Sequence, residues 1–219
     1  MNKYFIILII FSFSIVSAFS QNVQIQIFSP RELNGRKALL VTQERGFASI
    51  VHSIKLSPYP LNLQMDQDLL PDLYRLNVAQ IKGSLSFFLE PGTQIFLDTT
   101  DLAKSVVIHS KSNPQWKLFY DSIQQPSNER LTVYSSAETR ARKQGNTDSL
   151  NYWTNKKVLE KEELLSQTSE FILKNPGSFV SLYLLKNNWF TLKNKRIFEK
   201  LDLSLAGHRN YKLLKGKSL

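Results

Sequence analysis

The chain has 219 residues, no cysteine and a formal net charge of +10 at neutral pH. Its length and its hydrophobic fraction of 42% are those of a globular protein that can build a core without disulfides. The lack of cysteine excludes thiol chemistry, disulfides, cysteine-ligated metals and a lipid-modified N-terminal cysteine.

The N-terminus has the pattern of an export signal. Lys3 supplies a positive charge, an apolar run extends from Phe5 to Val16, and Ala18-Phe19-Ser20 is the small-x-small pattern that signal peptidase recognises. We predict a signal peptide over residues 1–20 and a mature protein that starts at Gln21 and resides in the periplasm or outer cell envelope. An uncleaved N-terminal anchor is the alternative, although the apolar run is short for a membrane span.

Residues 21–111 are predicted to form an antiparallel β-sandwich. Short runs of alternating apolar and polar residues are separated by turn pairs such as Asn34-Gly35 and Pro91-Gly92, the latter expected to be a hairpin turn. The expected strands are Val23–Ile27, Ala38–Thr42, Ala48–Ile54, Leu73–Val78, Ser84–Glu90, Gln94–Asp98 and Ser105–His109. Because no helical period separates these runs, the pattern favours antiparallel pairing.

Residues 112–219 change to a helical period, which predicts an all-helical segment packed on the sandwich and an α+β fold overall. We expect Asn113 to cap a first helix that ends at Gln125-Pro126. The other expected helices are Glu129–Lys143, Thr147–Lys174, Phe179–Leu185, Thr191–Leu203 and Arg209–Leu214. Asn175 and Pro176 should stop the long helix, and Ser178 should cap the next one.

The long helix carries apolar residues at a heptad spacing. Val158, Leu165 and Ile172 recur every seven residues, with Leu164 and Phe171 beside them. This spacing predicts that the whole stripe packs against a neighbouring helix.

Few residues suggest chemistry. Asp98-Thr99-Thr100 is similar to an aspartic protease loop but lacks the glycine that such a loop needs, so a turn is the better interpretation. His52, His109 and His208 have no metal-ligand spacing, and Asp72, like Asp66 and Asp68, is interpreted as a turn carboxylate. We therefore assign no catalytic residue, no cofactor and no metal ligand, and we expect a protein that is not an enzyme.

Aromatic residues concentrate where the strands give way to helices, and the basic residues concentrate at the C-terminus. We expect Phe88 and Trp116 to be buried core at the junction, with a ligand groove as the alternative. Residues 186–219 hold nine basic and two acidic residues. A solvated helical face is the first interpretation, and peripheral contact with a membrane or an acidic partner is the alternative. An exported protein meets little nucleic acid, so we expect none as a partner.

Several short blocks, taken in chain order, resemble a known family. They are Phe87–Gly92, Ile95–Leu97, Val106–Ile108, a helix with Asn113, Trp116 and Tyr120, and Phe171–Leu185 with its Asn175-Pro176-x-Ser178 core. This order resembles the N-terminal domain of unknown function (4369 type) found in thioredoxin-like thiol:disulfide oxidoreductases of the Bacteroidota envelope, and it covers about residues 21–215. The residues that mark the resemblance are interpreted as structural and not as catalytic. They are Phe88, Glu90, Pro91, Gly92, Asn113, Trp116, Asn175, Pro176 and Ser178.

The resemblance implies two functions. In that family a thioredoxin domain with a C-x-x-C motif usually follows, whereas this chain is expected to stop before it, at Leu219. One function is a non-catalytic envelope module that binds a partner or ligand. The alternative is a split or truncated oxidoreductase that works with a separate thioredoxin-fold protein.

Overall fold

The computed structural model describes residues 23–44, 47–65 and 70–218, and its α+β fold confirms the prediction. The predicted signal peptide, residues 1–20, lies outside these ranges. The strands are β1 Val23–Phe28, β2 Lys37–Glu44, β3 Phe47–Lys55, β4 Leu61–Met65, β5 Asp72–Val78, β6 Leu85–Leu89, β7 Gln94–Phe96 and β8 Val106–Ile108. Only β4 is not predicted, because its alternation of Leu61 and Leu63 with polar residues spans five residues directly after Pro60.

The strands form two four-stranded sheets, in the orders β4-β1-β7-β8 and β3-β2-β5-β6. Ile25 and Ile27 from the first sheet, with Leu40 and Leu76 from the second, are buried in one shared apolar core. The pairing is antiparallel except between β1 and β7, which run parallel with Ile27 opposite Ile95. The prediction of a wholly antiparallel sandwich is therefore wrong at this pair.

Pro91-Gly92 joins the two sheets and is not the predicted hairpin turn. β6 ends at the edge of one sheet, whereas β7 lies inside the other. Gly92 has a φ of +80°, a conformation that favours glycine, and its N–H donates to the carbonyl of Gln24 over 3.3 Å. A turn signal specifies the local backbone and leaves open whether the strands on its two sides pair.

The helices are α1 Ser112–Phe119, α2 Gln125–Lys143, α3 Thr147–Lys174, α4 Phe179–Asn187, α5 Trp189–Leu192 and α6 Arg209–Ser218. The predicted end of the first helix at Gln125-Pro126 is wrong, because a π-helical turn at Tyr120–Gln124 runs continuously into α2. Its wider hydrogen-bond spacing accommodates Pro126, which cannot donate a backbone hydrogen bond. No helix in the described part of the chain is long and apolar enough to cross a membrane.

The segment predicted as one helix over Thr191–Leu203 is broken into short pieces. After α5 come three 3₁₀ turns at Lys193–Lys195, Phe198–Lys200 and Leu203–Leu205. The break coincides with Arg196, whose φ of +52° is left-handed and incompatible with a continuing α-helix. This irregular chain lies between α5 and α6 and buries Ile197, Leu201 and Leu205.

Helices α2 and α3 form a long hairpin whose seam contains ion pairs as well as the buried Ala137 and Ala141. Arg130 binds Glu160 through two hydrogen bonds of 2.7 and 2.8 Å, and Lys157 binds Glu138 at 2.5 Å. Ile172 is buried, but Val158 is 48% exposed. The heptad prediction is therefore wrong in the distal half of α3, where Lys157 and Glu160 face α2 instead.

Candidate functional site

An aromatic cluster joins the sandwich to the helices. Phe88 on β6 is fully buried, and its ring lies 5.9 Å from that of Trp116 and 5.6 Å from that of Tyr183. Phe119, also fully buried, packs between Trp116 and Phe171. The structure thus places Phe88 in a second apolar core at the layer junction, as expected, whereas Trp116 packs against this core and is only partly buried.

Asn113 connects α1 to the free edge of β6. Its side-chain amide accepts a hydrogen bond from the Phe88 N–H over 2.8 Å and donates one to the Phe88 carbonyl over 2.7 Å. The amide thereby pairs with edge-strand backbone groups as a neighbouring strand would. The predicted capping role is wrong, because α1 begins at Ser112, one residue before Asn113.

Glu90 caps the first helix in place of Asn113. Its nearly buried carboxylate accepts hydrogen bonds from the Lys111 N–H at 2.6 Å, the Ser112 N–H at 3.3 Å and the Ser112 hydroxyl at 2.6 Å. A negative charge at this position also interacts favourably with the helix dipole. Thr93 bonds to both the N–H and the carbonyl of Glu90 and so fixes the turn that carries it.

The Asn175-Pro176-Gly177-Ser178 segment meets Glu90 from the opposite side. Asn175 ends α3 and donates a hydrogen bond from its amide to the Phe171 carbonyl over 2.9 Å. Ser178 caps α4, as predicted, by accepting a hydrogen bond from the Val180 N–H. Its hydroxyl also donates to Gln115 Oε1 over 2.5 Å, which connects the start of α4 to α1.

Glu90, the Asn175–Ser178 segment and the start of α1 line a cleft of about 400 Å³, which we call the junction cleft. Its walls are Glu90, Lys111, Ser112, Gln115, Asn175, Pro176, Gly177, Ser178 and Phe179. Four of the nine residues singled out from the sequence therefore meet here. Phe88, Asn113 and Trp116 lie in the aromatic junction, and Pro91 and Gly92 form the turn between the sheets.

A buried carboxylate that the sequence did not reveal joins β5 to the C-terminal helices. Asp72 is almost fully buried, and its Oδ2 lies 3.4 Å from Lys186 Nζ, 3.2 Å from an Arg209 Nη and 3.1 Å from the Asn210 amide nitrogen. The interpretation of Asp72 as a turn carboxylate is wrong. Its partners lie 114 or more positions away in the chain, so only the fold brings them together.

Two further candidates from the sequence, His208 and Asp98, bind backbone groups. His208 bonds through Nε2 to the Pro71 carbonyl at 2.9 Å and accepts at Nδ1 from the Asn210 N–H, and burial lowers its pKa. Asp98 accepts hydrogen bonds from the backbone of Asp101 and Thr100, which lower its pKa to about 2, so it forms the expected turn. Within the described ranges no three His, Asp or Glu side chains are grouped so that they could hold a metal ion.

Comparison of the chain with protein-family models, curated proteins and solved structures gave no match. The resemblance to the N-terminal domain of the envelope oxidoreductases therefore stays a prediction. Function has to be argued from the junction cleft and from the surfaces around it.

Proposed function

We propose that this chain is a non-catalytic binding module of the cell envelope and that its partner docks at the junction cleft. The proposal depends on one observation: Glu90 and the Asn175–Ser178 segment, far apart in sequence, line one concave site together with the start of α1. Its volume of about 400 Å³ does not distinguish it from the clefts of about 510 and 700 Å³ on the α2–α3 hairpin, so the proposal depends on the residues that line it.

The bonding of the cleft's polar groups supports a binding role over a catalytic one. Glu90 is held by the N-terminus of α1, and Ser178 is held by Gln115 and Val180. A nucleophilic serine needs a base within hydrogen-bond reach, and the Ser178 hydroxyl donates to the amide oxygen of Gln115, which is not a base. The Ser112 hydroxyl does donate to the Glu90 carboxylate, but Ser112 is buried and the same carboxylate accepts hydrogen bonds from the N–H groups of Lys111 and Ser112 at the start of α1. Among the walls of the cleft, these groups fix the geometry of the site and leave Lys111 at its exposed rim.

A second candidate function follows from which residues line the cleft. Glu90, Asn175, Pro176 and Ser178 belong to the blocks that resemble the envelope oxidoreductases, where the redox chemistry resides in a thioredoxin domain. A chain without cysteine can serve such chemistry only by docking a thioredoxin-fold partner. The identity of the partner at the cleft separates this candidate from a general binding module.

Site-specific photo-crosslinking in the envelope of living cells tests the proposal. A photoreactive residue replaces Lys111 at the rim of the cleft, and the matched control replaces Lys143 at the far end of α2, which is also exposed. We expect a discrete crosslinked species from position 111 that position 143 does not give. A thioredoxin-fold protein in that species would support the second candidate.

Crosslinks that are the same from both positions, or a lack of any from position 111, would contradict docking at the cleft. The purified protein should also be inactive by itself in insulin reduction, since it has no thiol. Unaided reductase activity would overturn both candidate functions.

A further inference from the structure

The C-terminal segment after position 185 carries basic residues that form no ion pair with other described residues. Of the nine basic residues after position 185, Lys186 and Arg209 are committed to the buried Asp72. Six others are exposed and, within the described ranges, form no ion pair. They are Lys193, Arg196, Lys200, Lys212, Lys215 and Lys217, which we call the basic face.

The two acidic residues of this segment do little to offset that charge. Asp202 caps the Leu203–Leu205 turn by accepting a hydrogen bond from the Ser204 N–H. Glu199 is exposed and is not joined by a salt bridge to any described residue. The segment therefore attracts anions at its surface.

Large apolar side chains project into solvent from the same segment. Phe190 is 81% exposed and Leu203 is 77% exposed. Each is next to buried anchors: Trp189 and Leu192 hold the short helix that carries Phe190, and Leu205 holds the turn that carries Leu203. The apolar groups are therefore displayed outward by firmly packed elements.

Helix α6 likewise has one face buried in the core and one face exposed to solvent. Asn210, Tyr211 and Leu214 face the core, whereas Lys212, Leu213 and the later lysines face outward. Exposed cationic and apolar side chains on one segment are the combination that binds the headgroup region of anionic membranes. A folded acidic protein would supply carboxylates for the lysines but gives no reason for the isolated exposure of Phe190.

We propose that the basic face binds peripherally to a bilayer of anionic phospholipid, with Phe190 and Leu203 entering the headgroup region. The Leu203 turn adjoins the junction cleft, because the Asp202 N–H donates to the Pro176 carbonyl over 3.1 Å. Phe190, Leu203 and the basic face do not line the cleft, however, so this inference goes beyond the proposed function. Docking at the cleft and attachment to lipid can therefore fail independently of each other.

Vesicle sedimentation of the mature protein tests the proposal. The probes are vesicles of phosphatidylglycerol and phosphatidylcholine in equal parts, vesicles of phosphatidylcholine alone, and a single-stranded DNA oligonucleotide. We expect binding to the anionic vesicles that weakens as salt is added, and none to the neutral vesicles. Lack of binding to anionic vesicles at low salt would overturn the proposal.

Charge reversal of α6 locates the binding surface. The triple variant Lys212→Glu, Lys215→Glu and Lys217→Glu should bind at least about tenfold more weakly, since each basic residue near a membrane contributes roughly a fivefold factor. The control reverses Lys143, Lys156 and Lys161, three exposed lysines of the α2–α3 hairpin, and so changes the net charge equally. Equal losses in the two variants would mean attraction by net charge alone and would overturn the proposal.

Replacement of the exposed Phe190 tests the apolar contribution to vesicle binding without a change in net charge. Phe190→Ser should weaken vesicle binding by roughly tenfold. Tyr59→Ser is the matched control, since Tyr59 is 76% exposed on the sandwich, and should leave binding unchanged. If DNA binds more tightly than the vesicles and Phe190→Ser lowers that affinity, the surface stacks on bases and the lipid proposal is wrong.

Discussion

The layer junction and the α2–α3 hairpin use opposite means to hold helices in place. At the junction, Phe88, Phe119 and Phe171 pack in an apolar core, and buried Asp72 joins β5 to the C-terminal helices. Along the hairpin, ion pairs such as Arg130–Glu160 occupy the seam. Buried apolar area contributes most to folding, whereas the attraction within a partly buried ion pair is largely offset by the cost of removing its charges from water. We therefore expect the cleft to be attached to the more stable part of the molecule and the hairpin to open separately at a lower free energy.

The largest effect is expected at the centre of the junction. Phe119→Ala should lower the free energy of unfolding by about 3 to 5 kcal/mol, because it leaves a cavity between Trp116 and Phe171. Denaturant unfolding measures the loss. Leu118→Ala is the control one residue away, and because Leu118 is 63% exposed it should cost less than about 0.5 kcal/mol. Similar losses in the free energy of unfolding for the two variants would contradict the assignment of Phe119 to the core and of Leu118 to the surface of α1.

Asp72→Asn should have the next largest effect. It keeps the size of the side chain but removes the negative charge that the partly buried cations of Lys186 and Arg209 face at Asp72. We expect a loss of about 2 to 4 kcal/mol in the free energy of unfolding. The control, Asp121→Asn, breaks the exposed Lys117–Asp121 pair and should cost less than about 0.5 kcal/mol. A neutral Asp72→Asn would show that this cluster does not hold the layers together.

The two regions should lose stability in different pH ranges. Burial lowers the pKa of the His208 imidazole from its usual 6.5. As the pH falls, the imidazole of the unfolded chain is therefore protonated before that of the folded protein, and the free energy of unfolding decreases below pH 6.5. In the hairpin, hydrogen bonds from Lys157 and Arg130 lower the pKa values of Glu138 and Glu160 from 4.5, so their contribution is lost only below that pH. The free energy of unfolding, measured between pH 6.5 and pH 4.5, should therefore decrease as the pH falls. His208→Gln should abolish this decrease. A slope that persists in His208→Gln contradicts the assignment.

The smallest effect is expected at the exposed position of the heptad. Val158→Ala should change the free energy of unfolding by less than about 0.5 kcal/mol, because Val158 is 48% exposed. Ile172→Ala, two heptads along the same helix and buried, should cost about 2 to 5 kcal/mol. Equal costs at both positions would restore the continuous apolar seam that the sequence predicts.

Local patterns in the sequence predict much of the fold. Alternation in β1 and β5, the start and end of α3 and the Ser178 cap depend on residues close together in the chain, and the structure agrees with all of them. The sequence also singles out Glu90 and Ser178, although it gives no reason for them to meet.

The errors arise where distant residues compete with a local signal. Asn113 is a good cap by type, yet the unpaired edge of β6 takes its amide and Glu90 takes over the capping. Val158 fits a heptad, yet the ion pair of Arg130 and Glu160 turns another face of α3 toward α2. Long-range electrostatic partners leave no periodic pattern in a single sequence.

Native-state hydrogen exchange tests the central claim most directly, because it measures the opening of each region in one experiment. We predict that the amides of β6 and α4, around Phe88 and Val180, exchange together and only through global unfolding. The amides between Arg130 and Lys157 in the hairpin should exchange earlier, through a separate opening that leaves the junction intact. Hairpin protection equal to that of β6 would contradict the division into a stable junction and a weaker extension.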